Sequence, residues 1–159
     1  MSDLDRVLSP LSQRHSQALM WFHAKAGSEI GRPQPLPDGT LLLTRAKGIY
    51  KPRWSTYALG IRESLNGPYP DQTPELRKDG TWRYLYYQEN LSALLRDGEY
   101  TNVALMLCIQ DRVPIGVVRQ TKAGSKPKYR VLGVGLPMQW NGGYFAIEGF
   151  SAEGTCRGC

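Results

Sequence analysis

Trp82-Arg-Tyr-Leu-Tyr-Tyr87 alternates with period two, the rhythm of a β-strand that turns Trp82, Tyr84 and Tyr86 to one face. Working outward, Thr40–Thr44 is a β-compatible run and Tyr57–Arg62 alternates again. Downstream, Val113–Arg119, Tyr129–Leu136 and Tyr144–Phe150 bring the set to about six strands. Helical spacing occurs twice. Ser9 reads as an N-cap with Pro10 at the first helical position, followed by an apolar face of Leu11, His15, Ala18, Leu19, Phe22 and Ala26 that ends at Gly27. Thr101 reads as the cap of a second helix running through Gln110, with Cys108 inside it as a packing thiol. The expected fold class is α+β: a curved β-sheet or open β-barrel with an N-terminal helix and one further flanking helix. Three prolines make residues 32–39 a connection.

At 159 residues the chain makes one ordinary domain, able to bury a core without disulfides or metals. With 41% hydrophobic and 21% charged residues, it is not a disordered chain. The longest apolar run, Val103–Ile109, is too short to cross a bilayer, and the acidic start Met1–Asp5 has no apolar signal-peptide region. Three cysteines, Cys108, Cys156 and Cys159, make no disulfide framework, so a reduced, cytoplasmic protein is expected. The net charge of +6 is local. Residues 112–130 hold six basic side chains and no acidic one: Arg112, Arg119, Lys122, Lys126, Lys128 and Arg130. The rest of the chain balances fourteen against fourteen. A second acid-free run contributes Arg45, Lys47, Lys51 and Arg53, the last two beside Tyr50 and Trp54. Such runs suit a polyanion, and they also suit solvated loops.

Half of the sixteen aromatic residues fall between Tyr50 and Tyr87. Tyrosine can stack on a base while its hydroxyl makes a hydrogen bond, but a tyrosine-rich core is the competing use of the same residues. Asn66-Gly-Pro-Tyr-Pro-Asp71 is a rigid turn that presents a ring and a carboxylate two residues apart. A carboxylate accepts from the cytosine amino group, though Asp71 would serve equally to cap backbone N–H groups. Catalytic signatures are missing or broken. Asp71 and Glu75-Leu-Arg77 only imitate a metal-dependent nuclease motif, with carboxylates too close and arginine where lysine is needed. No nucleophile elbow, zinc-protease helix or Walker loop is present, and Cys156-Arg-Gly-Cys159 lacks a second pair of zinc ligands. The expectation is no catalytic residue, no metal and no cofactor.

Several segments taken together resemble a known family. They are Gly48-Ile-Tyr-Lys-Pro, Tyr57–Asp71, Asp79–Asn90, Tyr100-Thr-Asn, Val113–Thr121 and Tyr129-Arg-Val-Leu-Gly. In order and spacing they resemble the SRA-like modified-cytosine recognition domain at the front of McrA-like HNH restriction endonucleases of bacteria, over about residues 45–150. The resemblance implies a PUA-like curved barrel that binds duplex DNA carrying 5-methylcytosine or a related modified cytosine. It divides the chain into an N-terminal helix and proline-rich connection (1–44), the DNA-binding domain (45–150) and a flexible C-terminal tail (151–159). Tyr69 and Asp71 match the base pocket, with Tyr50, Tyr84 and Tyr86 as further walls. Lys51, Arg53, Trp54, Arg119, Lys122, Lys126, Lys128 and Arg130 are the expected contacts to the DNA backbone. The endonucleases carry an HNH nuclease after this domain and this sequence ends at Cys159, so the expectation is a non-catalytic, nucleoid-associated reader whose effector, such as a nuclease, is a separate protein. The alternatives are an RNA or modified-nucleotide binder of the same superfold, or a small nuclease with an unrecognised site.

Overall fold

A computed structural model describes residues 1–44, 48–65, 73–88 and 100–159. The N-terminal helical region is two helices rather than one. In α1 (Asp3–Leu8), the Ser2 hydroxyl accepts from the Asp5 N–H and the Asp5 carboxylate accepts from the Ser2 N–H, both at 3.1 Å. This reciprocal cap satisfies two N–H groups that a helix start leaves open. Ser9, the expected N-cap, instead closes α1. Pro10 falls in the turn that follows, and α2 (Gln13–Ala24) starts afresh at Ser12, whose extended backbone lets its hydroxyl accept from the His15 N–H at 3.2 Å. His15, Ala18, Leu19 and Phe22 form the buried face of α2. Gly27, at φ +83°, then donates to the Val131 carbonyl and brings the chain to the sheet.

The sheet is open and mostly antiparallel. Among the described residues its eight strands are β1 (Glu29–Ile30), β2 (Ile49–Tyr50), β3 (Gly60–Glu63), β4 (Glu75–Leu76), β5 (Trp82–Tyr87), β6 (Ile115–Lys122), β7 (Lys128–Asn141) and β8 (Tyr144–Gly149). The order is β2-β3-β6-β7-β8-β5-β4, with β1 paired to the outer end of β7. Among these pairs only β3 and β6 run parallel, and the required crossover contains β4, β5 and α3 (Tyr100–Asp111). The fold class is thus α+β. Thr101 lies fully buried within α3 rather than at its cap. The Thr40–Thr44 run forms no strand: Leu42 goes into the core without a ladder partner. β7 runs past Pro137, where the sequence pattern stopped. Proline is tolerated there because β6 has already ended, at Ile115 opposite Gly135, and one edge of β7 is open.

Two apolar cores lie on the two faces of the sheet. One gathers α1, α2, Val118, Tyr129, Val131, Val134 and Leu136; the other gathers α3, Ile115, Val117, Ile147 and the aromatic face of β5. Along β7 the inward positions change from odd to even numbers between Val131 and Val134. The register with β6 slips there by one residue, with Gly133 at φ +124° opposite Val117 and Val131 opposite Val118. This bulge lets one long strand keep apolar groups on the same face at both ends. Each core also seats a ring on bare backbone. Phe22 covers Gly116, where an added Cβ would lie 2.4 Å from the ring, and Trp82 lies still closer over Gly149 and beside Gly135.

The last nine residues, expected as a flexible tail, are docked. The Leu4 N–H donates to the Gly154 carbonyl, the Cys156 N–H to the Asp3 carboxylate, and the Arg157 guanidinium to Asp79, each at 3.0 Å. The turn from Ser151 to Thr155 buries Cys156 and brings it to Cys159, with which it forms a disulfide. Against the expectation of a reduced protein, two of the three cysteines are thus paired; Cys108 is the free one, and its burial in α3 pushes its thiol up to about 12.

Gly116→Ala is expected to destabilise the protein by about 1–3 kcal/mol through overpacking. Adding Phe22→Leu should recover part of that loss, whereas the same change in the parent should only cost stability. Denaturant melts of the four proteins check the coupling.

Candidate nucleic-acid interface

β6 and β7 form a hairpin whose outer end carries the basic run. Arg119 stands opposite Arg130 and Lys122 opposite Lys128. Like charges directly opposite on a strand pair oppose folding, so each such pair needs compensation. Arg119 has it in full: its guanidinium donates twice to Glu63, both bonds at 3.2 Å. Arg130 donates to the Gly27 carbonyl at 2.7 Å, and Lys128 lies 4.0 Å from Glu29. Lys122 and Lys126 have no ion pair among the described residues, and both are exposed. The Lys122–Lys128 rung and its turn lie beyond the last partners of both flanking strands, which are Glu63 opposite Arg119 and Ile30 opposite Tyr129. Among the described residues no third strand pairs with the outer end of the hairpin, although the Thr121 hydroxyl donates to Glu29 at 2.9 Å and Pro127 in the turn is buried. Of the hairpin's five expected backbone contacts, Lys122, Lys126, Lys128 and Arg130 are presented to solvent, and Arg119 is tied to Glu63.

Lys51, Arg53 and Trp54 sit elsewhere. They follow Tyr50, which pairs with Gly60, and Gly60 pairs with Gly116 near the inner end of β6. Six residues of strand separate that level from Lys122, about 20 Å at the usual rise. Arg53 is exposed, while the Lys51 ammonium donates to the Pro52 carbonyl at 3.2 Å. Trp54 is half-buried, with His15 edge-on at 5.5 Å and the Arg14 guanidinium 4.8 Å above its ring. The basic residues thus make two sites at opposite ends of β6.

Of the expected pocket residues, Tyr69 and Asp71 lie outside the described residues, as do Arg45 and Lys47 of the second basic run. Tyr84 and Tyr86 are buried in the α3-side core, 2% and 7% exposed. Tyr50 is half-buried against the other core, and burial raises its hydroxyl pKa despite the nearby Arg14 charge. The imitation nuclease motif has a structural use at its second half: Arg77 makes a two-pronged ion pair with Glu148 of β8, at 2.8 and 3.3 Å.

Sequence reasoning missed two features. One is a groove of about 440 Å³ between the proline-rich connection and the outer half of the hairpin, with Arg32, Arg62 and Gln120 in its lining. Its residues are scattered from 32 to 129, so no local motif marks it. The other is the surroundings of His15, a residue the helical pattern placed on the apolar face: it is 3% exposed and its Nε2 has no hydrogen-bond partner among the described residues. Trp54 and Tyr57 pack around it, and the Tyr57 hydroxyl donates to Asp111 at 2.5 Å. Burial lowers the His15 pKa to about 4. Among the described residues no cluster of His, Cys, Asp or Glu could hold a metal ion, and no helix is long and apolar enough to cross a membrane. No family model, curated protein or solved structure matches this chain.

His15 gives the protein a defined acid sensitivity. Its folded pKa lies below the unfolded value of 6.5, so unfolding takes up a proton between the two. Stability should fall as pH drops from about 6.5 towards 4, by at most about 3 kcal/mol from this group. His15→Leu should flatten that part of the profile, as read from the difference between variant and parent melts across pH.

Proposed function

We propose that this protein is a reader of duplex DNA bearing 5-methylcytosine or a related modified cytosine, binding it without cutting. The observation that carries the nucleic-acid part is the outer end of the β6–β7 hairpin, where exposed Lys122 faces Lys128, Lys126 is exposed in the turn between them, and no acidic residue lies between positions 112 and 130. Local rules are broken most often at functional sites, and a polyanion would relieve the Lys122–Lys128 rung. A two-stranded ribbon also fits the major groove of B-form DNA, where lysines can reach phosphates on both strands. In this reading Lys122, Lys126, Lys128 and Arg130 supply affinity, and Arg53 supplies a second contact at the other end of β6. A PUA/SRA-like barrel and the preference for modified cytosine are supported by the sequence resemblance, with Tyr69 and Asp71 as the stacking ring and the acceptor for the cytosine amino group. In the same reading the protein works at the nucleoid, and a separate effector acts on the marked DNA.

A buried methyl group is worth only about 0.8 kcal/mol, so discrimination has to come from hydrogen bonds satisfied around the whole base. Gel shifts on matched methylated and unmethylated duplexes, with single strands and RNA as competitors, test the reading. Preference for RNA would move the assignment to RNA binding, and Mg²⁺-dependent fragments of labelled DNA would show a nuclease. Replacing Lys122, Lys126 and Lys128 by Ala should flatten the slope of log affinity against log salt by roughly two to three units, equally for both duplexes. Asp71→Ala should remove the methylation preference and leave the slope intact. A slope that ignores the lysines overturns the ribbon as the binding element.

A further inference from the structure

The docked segment from Ser151 to Cys159 holds two of the three cysteines, joined as a disulfide with Cα atoms 5.5 Å apart. A bond between residues three apart in sequence removes less entropy from the unfolded chain than a long-range bond would. The turn is also complete without it. The Ser151 N–H donates to the Thr155 carbonyl at 2.8 Å, the Gly154 N–H to the Ser151 carbonyl at 2.9 Å, and the Thr155 N–H to the Ser151 hydroxyl at 3.1 Å. Asp3 accepts from the Cys156 N–H and Asp79 from the Arg157 guanidinium. None of these bonds uses a sulfur, so the turn keeps its shape when the disulfide opens.

The two sulfurs differ in the way that exchange requires. Cys159 is exposed, whereas Cys156 is only 7% exposed. Thiol–disulfide exchange begins with attack on a sulfur that the incoming thiolate can reach. Cys156 Sγ lies 3.8 Å from the Glu148 carbonyl, an acceptor that a thiol can use and a disulfide cannot. The buried sulfur therefore has a partner waiting in the reduced state. Gly158, at φ +77°, turns the chain back so that Cys159 meets Cys156. That backbone conformation is open to glycine and strained for other residues. The third cysteine, Cys108, is buried in α3 and does not compete.

We propose that Cys156 and Cys159 are a redox-active pair that exchanges with a low-molecular-weight thiol. The thiolate of that thiol attacks Cys159 Sγ. The bond between the two protein sulfurs breaks, its electron pair leaves on Cys156 Sγ, and Cys156 takes up a proton. Cys159 is then held in a mixed disulfide with the small thiol. A second molecule of thiol attacks the small-molecule sulfur and releases Cys159, which takes up the second proton. In sum, two thiols give up two protons and two electrons and become their disulfide, while the protein disulfide becomes two thiols. The small-molecule disulfide drives the same steps in reverse.

The full-length protein is equilibrated with graded mixtures of reduced and oxidised glutathione, quenched with acid and alkylated in denaturant, and its intact mass is measured. The number of alkylated cysteines should pass from one to three as the mixtures become more reducing, while circular dichroism remains that of the folded protein. A count fixed at one, a count fixed at three, or a change that comes only with unfolding overturns the proposal. Gly158→Ala should shift the midpoint towards the dithiol by about fivefold to thirtyfold, because only the closed pair needs the left-handed turn. An unmoved midpoint overturns Gly158 as the residue that closes the pair. Oxidised glutathione should add to Cys159 in Cys156→Ser at least about tenfold faster than to Cys156 in Cys159→Ser. Equal rates overturn Cys159 as the point of attack.

Discussion

Two aromatic rings pressed onto bare backbone hold the layers of this protein together. Phe22 reaches from α2 to Gly116 on one face of the sheet, and Trp82 lies over Gly149 and beside Gly135 on the other. A side chain at any of these glycines would occupy the volume of a ring, so ring and glycine are one constraint counted twice. That close approach lets α2 sit flat on β6 and β7, and it lets β5 close over β8. Everything at the outer end of the hairpin, including the groove and the lysines, is positioned by strands anchored at these two contacts.

The sequence was most readable where one period governed a whole element. The alternation in β5 gave its limits, and the buried side chains are Trp82, Tyr84 and Tyr86, the ones placed on a single face. It was least readable where two local rules competed. Ser9-Pro10 and Ser12 are both good helix starts, and the second prevails because α1, begun at the Ser2–Asp5 cap, already takes up the chain to Leu8 with Ser9 as its C-cap. In β7 the expected strand stops at Leu136 because a proline follows, whereas the ladder with β8 continues past Pro137 to Asn141. The basic hairpin was visible as a run of charge, but its pairing was not: only the register shows that Arg119 faces Arg130 and that Glu63 claims Arg119. The groove was invisible because the connection, β3, β6 and β7 each supply only a few of its residues.

The charges on the hairpin separate two tasks that a count of basic residues would merge. Arg119, tied to Glu63 and lying 6.0 Å from the Tyr84 ring, joins β3 to β6 and supports the sheet. Lys122 and Lys126, three and seven residues further on, do nothing evident for the sheet and are the ones left for a partner. Burial draws the same line among the aromatics. Tyr84 and Tyr86 fill the core, and Trp54 divides its faces between His15 and Arg14.

The parallel pairing of β3 with β6 also sets an order of events during folding. β6, β7 and β8 follow one another through tight turns, so their contacts close short loops and form early. β3 can join β6 only after the intervening chain has laid down β5 and α3, a long loop closure that is entropically slow. Loop length alone thus favours a ribbon that closes before β3 arrives, with its facing cations then lacking the carboxylate of Glu63. Added salt, by screening them, should speed this early step in the same solutions in which it weakens attachment to a polyanion.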